Sequence, residues 1–175
     1  MQEASFPKID VVESLMVNAM RNVFTTMLSK NIVFKARYDR DTAGIKPFYS
    51  LGSKDPLVVG SIGFVGEANG VVYIYMHEAV AFAIASAMTG MEIAEVAREF
   101  EIVKDVVGEI SNMAIGAFKN GICDLGFNCR VTLPTVLRGS QMEVDSMLSA
   151  ARETFHFDLD GQAVIMDLFI QENGN

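Results

Sequence analysis

In the stretch DVVGEISNMAIGAF, Asp105 to Phe118, three polar side chains stand at a spacing that could do chemistry: Asp105, Glu109 and Asn112. On a helix at about 100° per residue, with Asp105 at zero, Glu109, Asn112 and Gly116 fall within about 40° of it. Val103, Val106, Val107, Ile110, Ala114, Ala117 and Phe118 fall between about 100° and 220° and form the predicted buried stripe. The ridge of Asp105, Glu109, Asn112 and Gly116 then points away from the core, with Gly108 near its edge. Glu109 has no Lys or Arg three or four residues away, so its charge is left for a group outside the helix.

This ridge costs the helix stability. Each interior glycine loses about 1 kcal/mol against alanine. Two carboxylates at i, i+4 repel by about 0.2–0.5 kcal/mol. Gly108 and Gly116 leave a notch where another backbone could approach. A charged, uncompensated, notched ridge fits a docking surface. The same pattern also fits a solvated face whose glycines pack on a neighbouring element. A metal site built on Asp105 and Glu109 is a third reading, and the absence of a nearby histidine argues against it.

The elements that must carry this helix follow from periodicity. Asp10 to Ser29 is predicted helical, with Val12, Met16, Met20, Val23 and Met27 on one face. Asn31 to Tyr38 alternates like a strand. Asp39 to Pro56 carries Gly44, Pro47, Gly52 and Pro56 and is predicted to be a long loop. Leu57–Val65 and Val71–Met76 flank GEANG as a hairpin, and a helix from His77 ends at Gly90. The ridge helix is predicted over Ile102 to Lys119, stopping near Gly121. Strands over Asn128–Leu137, Ser149–Asp158 and Ala163–Gln171 finish the chain, the last two joined at Asp160-Gly161. The fold class is α+β: an antiparallel β-sheet covered on one face by helices, in a single domain over 1–175. The other face needs a cover, and a second subunit is one way to supply it.

Composition narrows the partners. Half of the residues are hydrophobic, which suits a packed core in a chain of 175 residues. The net charge of −8 repels phosphate backbones and anionic lipid, so neither nucleic acid nor membrane is an expected partner. Cys123 and Cys129 have neither CxxC nor zinc spacing and are expected to be a reduced pair. The N-terminal MQEASFPKID lacks a basic region and an apolar core, and the apolar stretch from Ala79 is too short to span a bilayer. The expected compartment is the cytoplasm. His77 and His156 are expected to be ordinary surface or core histidines, and no phosphate-loop or dinucleotide motif occurs.

DVVGEISNMAIGAFKNG resembles the active-site helix of the CheC/CheX/FliY family of bacterial chemotaxis phosphatases. That family carries Asp or Ser, three residues, Glu, two residues, Asn, which Asp105, Glu109 and Asn112 match without a gap. The strand CRVTLPTVLRG, with Pro134 and Gly139, is similar to CheX in particular. The resemblance implies two copies of the motif in CheC and FliY and one in CheX. Here Asp10-Val11-Val12 with Asn18 echoes the later helix, but Leu15 stands at the glutamate position and Val11 at the Asp/Ser position. The N-terminal copy is broken, which favours the single-site CheX type.

The resemblance further implies dephosphorylation of a phosphorylated CheY-like receiver domain. Asn112 would orient the attacking water, since an amide both accepts and donates without adding a charge that repels phosphate. Glu109 would pair with a receiver lysine. Asp105 would hold the Glu109 rotamer, contact the partner, or act as an early-helix acid favoured by the dipole. Gly108 and Gly116 would let the helix lie close. No cofactor is expected on this chain, with Mg2+ carried by the receiver. A homodimer is also implied. The competing reading is a non-catalytic dimeric adaptor that binds a receiver or another signalling protein.

Overall fold

The computed structural model describes residues 6–39, 51, 54–142 and 150–171. Helix α1 spans Ile9–Leu28 and is followed by strand β1, Val33–Asp39. Strands β2 (Leu57–Gly66) and β3 (Asn69–His77) form a hairpin, and α2 (Glu78–Thr89) closes at Gly90, whose φ of 73° suits a residue without a Cβ. A single turn, α3 (Ile93–Val96), precedes the long α4, Phe100–Asp124. Strands β4 (Cys129–Val131), β5 (Thr135–Gly139), β6 (Ala150–Leu159) and β7 (Gln162–Gln171) complete the chain.

All pairings are antiparallel, in the order β1-β6-β7-β3-β2-β4, with β5 also on β2. Side chains alternate across the sheet. Val58, Ile62, Val72, Ile74, Val164, Met166, Phe155 and Phe157 face the helices, where Met16 and Met20 of α1 and Val107, Ile110 and Ala114 of α4 complete one core. This is the α+β arrangement expected, one antiparallel sheet with its helices on one face.

The other face is not bare. Leu57, Val59, Tyr75 and Ile165 form a second cluster there with Leu51, and Met142 packs against it. The chain itself therefore covers part of the face for which a second subunit was one possible cover. His77 Nε2 donates to Leu51 O at 2.7 Å and ties that residue to the end of β3. Most of the loop predicted over Asp39–Pro56 lies outside the described residues. Farther along this face, buried Asp167 accepts from Arg152 (2.6 and 3.0 Å) and from Thr154 Oγ1 (2.8 Å), so its charge is paired and hydrogen-bonded.

Three boundaries differ from expectation. Helix α4 runs through Gly121, because Gly121 packs rather than stops: a Cβ there would stand 2.5 Å from Leu15 Cδ2 of α1. The short α3 turn was not predicted; a capping box between Glu92 and Glu95 closes it. The strand expected over Asn128–Leu137 is two strands. Val131 pairs Phe64 and Thr135 pairs Ser61, so Thr132, Leu133 and Pro134 oppose only Ile62 and Gly63. The extra residue is a β-bulge, at the proline that cannot donate to the ladder.

Candidate functional site

Helix α4 owes its position to contacts made by its buried side. Phe118 meets Phe64 of β2 edge-on with ring centroids 6.0 Å apart. Ser111 is buried, and its Oγ donates to Val107 O at 2.7 Å. Opposite it is Gly60 of β2, where a Cβ would come within 2.2 Å of Ser111 Oγ. The helix thus rests directly on the backbone of β2. The buried arc is wider than the sequence stripe: it takes in Gly108, Ser111 and Ile115 on the β2–β5 side, while Ala117, placed in the stripe, is exposed. Sheet backbone covers the first side, and small residues are what make that approach possible.

Asp105, Glu109 and Asn112 are all exposed on α4. Among the described residues their side chains make no hydrogen bond and no ion pair. Two cations near the start of α4 have partners of their own. Lys104 Nζ binds Glu101 Oε2 at 2.9 Å, and that bond, with the attraction of the same carboxylate, holds its pKa above the ordinary lysine value. Arg138 pairs with Glu78 and lies over the Phe100 ring, 4.9 Å from its centroid. Glu109 and Asn112 therefore present an acid and an amide one turn apart with unused bonding capacity.

The two glycines assigned to the notch part company. At Gly116 a Cβ would meet nothing within 4 Å, so the space above it is open. Gly108 is buried, and its Cβ position lies 3.8 Å from Val136 and 3.9 Å from Pro134. A Cβ there would make ordinary contact with the β4–β5 segment, so Gly108 faces that segment rather than open space.

In α1, Asn18 is exposed as well, but Leu15, at the position corresponding to Glu109, fills the space over Gly121. Asp10 and Glu13 face Arg37 at 3.8 and 3.3 Å. In the first helix the glutamate position has gone to packing, and the acids beside the motif positions are engaged by Arg37. Sequence reasoning did not single out Ser111 or Gly60; a glycine inside the apolar run of β2 was the available signal.

The other candidates are structural. His156 stands edge-on to Tyr38, with centroids 4.7 Å apart, and its pKa is lowered by burial against an opposing pull from Asp167. Cys123 and Cys129 are free thiols, and burial raises the Cys129 pKa. Among the described residues no cluster of three or more His, Cys, Asp or Glu could hold a metal ion, and no helix is long and apolar enough to cross a membrane.

An antiparallel sheet carries one long helix with an outward Asp/Glu/Asn ridge, and the sequence of this region matches a known family. The signature of the family described as chemotaxis phosphatase CheX matches residues 58–158, which include the whole ridge. The chain belongs to the CheX family. It is similar to the chemotaxis protein CheX of Desulfovibrio desulfuricans, at 18% identity over 91% of this chain and 99% of that one, with a TM-score of 0.74. It is similar to CheX of Vibrio vulnificus, at 22% identity over 91% and 99%, TM-score 0.73. It is also similar to a chain of the CheX-CheY-BeF3-Mg2+ complex of Borrelia burgdorferi, at 22% identity over 95% and 99%, TM-score 0.72. No curated protein sequence matches it.

Proposed function

We propose that this chain hydrolyses the aspartyl phosphate of a CheY-type receiver domain, with Asn112 and Glu109 reaching into the receiver's phosphorylation site. The observation that carries the reading is the pair itself: both side chains are exposed, unbonded and one turn apart, inside the family-matched segment. The Borrelia relative, solved with CheY, BeF3 and Mg2+, supports a receiver as the partner.

Asn112 positions the nucleophile. Its Oδ1 accepts a hydrogen bond from water while its Nδ2 donates to a phosphoryl oxygen, which sets the water in line with the leaving group. The water oxygen bonds to phosphorus as the bond from phosphorus to the aspartyl oxygen breaks. The bonding pair leaves with the aspartate carboxylate, and the water proton passes to the phosphoryl oxygens. The products are the free aspartate and inorganic phosphate, and no general base on this chain is needed.

Glu109 pairs with a receiver lysine, which offsets the repulsion between carboxylate and phosphate. Asp105, four residues before it, holds the Glu109 rotamer or contacts the partner. Gly116 supplies the notch. The Mg2+ belongs to the receiver.

The same reading includes a cytoplasmic location, where receivers signal, and a homodimer. The β1 edge is unpaired among the described residues, and an unpaired strand invites pairing with a second copy. The test of the function is direct: receivers of the source organism, loaded with acetyl phosphate, lose phosphate faster when this chain is added. Unaccelerated decay across all of them contradicts the proposal and leaves the adaptor reading.

A further inference from the structure

Leu133 is 88% exposed, far beyond Ile93 at 51%, the next most exposed large hydrophobic residue among those described. The backbone that carries Leu133 is tied to β2 at the residue before it. Thr132 N donates to Gly63 O at 2.8 Å, and Gly63 N donates to Thr132 Oγ1 at 3.0 Å. Thr132 Oγ1 donates in turn to Leu133 O at 3.2 Å. On the other side Pro134, with its fixed φ, has its Cγ 3.9 Å from where a Cβ on Gly108 of α4 would stand. The chain therefore spends a β-bulge and a proline on holding an apolar side chain in water, where it adds nothing to its own core.

The bulge also fixes where Leu133 sits. Its Cα is about 3.8 Å from that of Pro134. Gly108, whose Cβ position lies 3.9 Å from Pro134 Cγ, is the residue before Glu109 and one turn, about 6 Å along the axis, before Asn112. Leu133 therefore adjoins the segment that flanks α4 at Gly108, four residues before Asn112.

We infer that Leu133 is an affinity-determining contact for the receiver: a preorganised apolar anchor that meets an apolar patch beside the receiver's phosphorylation site. The inference rests on the receiver-phosphatase reading above. It assigns Leu133 to binding and leaves the reacting atoms to Asn112. An anchor of this kind lowers KM without changing the barrier from the bound complex. Its rigid presentation limits the entropy lost on docking.

The test is steady-state dephosphorylation of an acetyl-phosphate-loaded CheY-type receiver by wild type, Leu133→Ala, Leu133→Met, Leu125→Ala and Asn112→Ala, with binding of the same receiver carrying beryllofluoride and Mg2+ measured alongside. Leu125 is 48% exposed and follows the far end of α4, so it controls for loss of any exposed leucine. The expected result is a KM and a Kd raised about tenfold in Leu133→Ala, or about 1.4 kcal/mol. Turnover at saturation stays within twofold, Leu133→Met restores affinity, Leu125→Ala matches wild type, and the thermal midpoint does not move. Wild-type affinity in Leu133→Ala, with Asn112→Ala inactive, overturns this inference alone. Equal activity of Asn112→Ala and wild type overturns the reading beneath it.

Discussion

Gly60 of β2 and Ser111 of α4 stand so close that a Cβ on residue 60 would lie 2.2 Å from the serine Oγ. Ser111 adjoins Asn112, so the contact that seats the helix on the sheet also sets the height and rotation of the amide. Ser111 Cβ and Val107 Cγ1, each 3.3 Å from the same point, leave little room for the neighbours to give.

Gly60→Ala is expected to lower stability by about 1–3 kcal/mol, as overpacking does, and to reduce phosphatase activity in the fraction that stays folded. Ser111→Ala alone is expected to shift stability by less than about 1 kcal/mol, since it trades one hydrogen bond to Val107 for a better helix former. Combining the two removes the closest atom and should recover more than half of the loss. Denaturant unfolding of the four proteins checks this. Additive effects in the double variant would contradict the contact.

Gly116 sets stability against function. Its Cβ would meet nothing within 4 Å, so Gly116→Ala should stabilise the protein by about 0.5–1 kcal/mol. The added methyl stands where the receiver would approach, and kcat/KM should fall about tenfold to 100-fold. A variant that gains stability and keeps full activity would show that the notch takes no partner.

How legible this site was depends on what each residue answers to. Asp105, Glu109 and Asn112 follow helical spacing and lack local partners, and both features are present in one-dimensional order. Strand and helix identities were legible for the same reason, down to the Asp160-Gly161 turn, where both residues have positive φ. Gly121 was misjudged because a glycine that ends a helix and one that admits a neighbouring leucine look alike until Leu15 is brought beside it. Gly108 is buried for a like reason: the segment it faces, with Pro134, lies elsewhere in the chain. The bulge at Leu133 depends on register against Gly63, which no local pattern carries. The cover on the second face comes partly from Leu51, an apolar residue inside a stretch dominated by turn formers.

His156 gives the fold a measurable pH dependence. Burial lowers its folded pKa, against a weaker opposite pull from Asp167. The unfolded chain, with an ordinary value of about 6.5, takes up the proton first. The stability is therefore complete above about pH 6.5 and is lost as the pH falls below it. Glu153 works in the opposite sense in a lower window: burial raises its pKa above 4.5, so its contribution falls as the pH rises through that range. Comparing thermal midpoints of wild type and His156→Phe between pH 7.5 and 5.5 isolates the histidine. The wild-type midpoint should fall more steeply on acidification, and parallel curves would contradict the shift.

The most direct test is the rate at which a phosphorylated CheY-type receiver decays in single turnover, with wild type and with Asn112→Ala, both at concentrations that saturate the beryllofluoride-bound receiver. Loss of the amide should slow decay about 100-fold while binding stays within a few-fold of wild type. Equal decay rates for the two proteins at saturation would contradict the assignment of water positioning to Asn112.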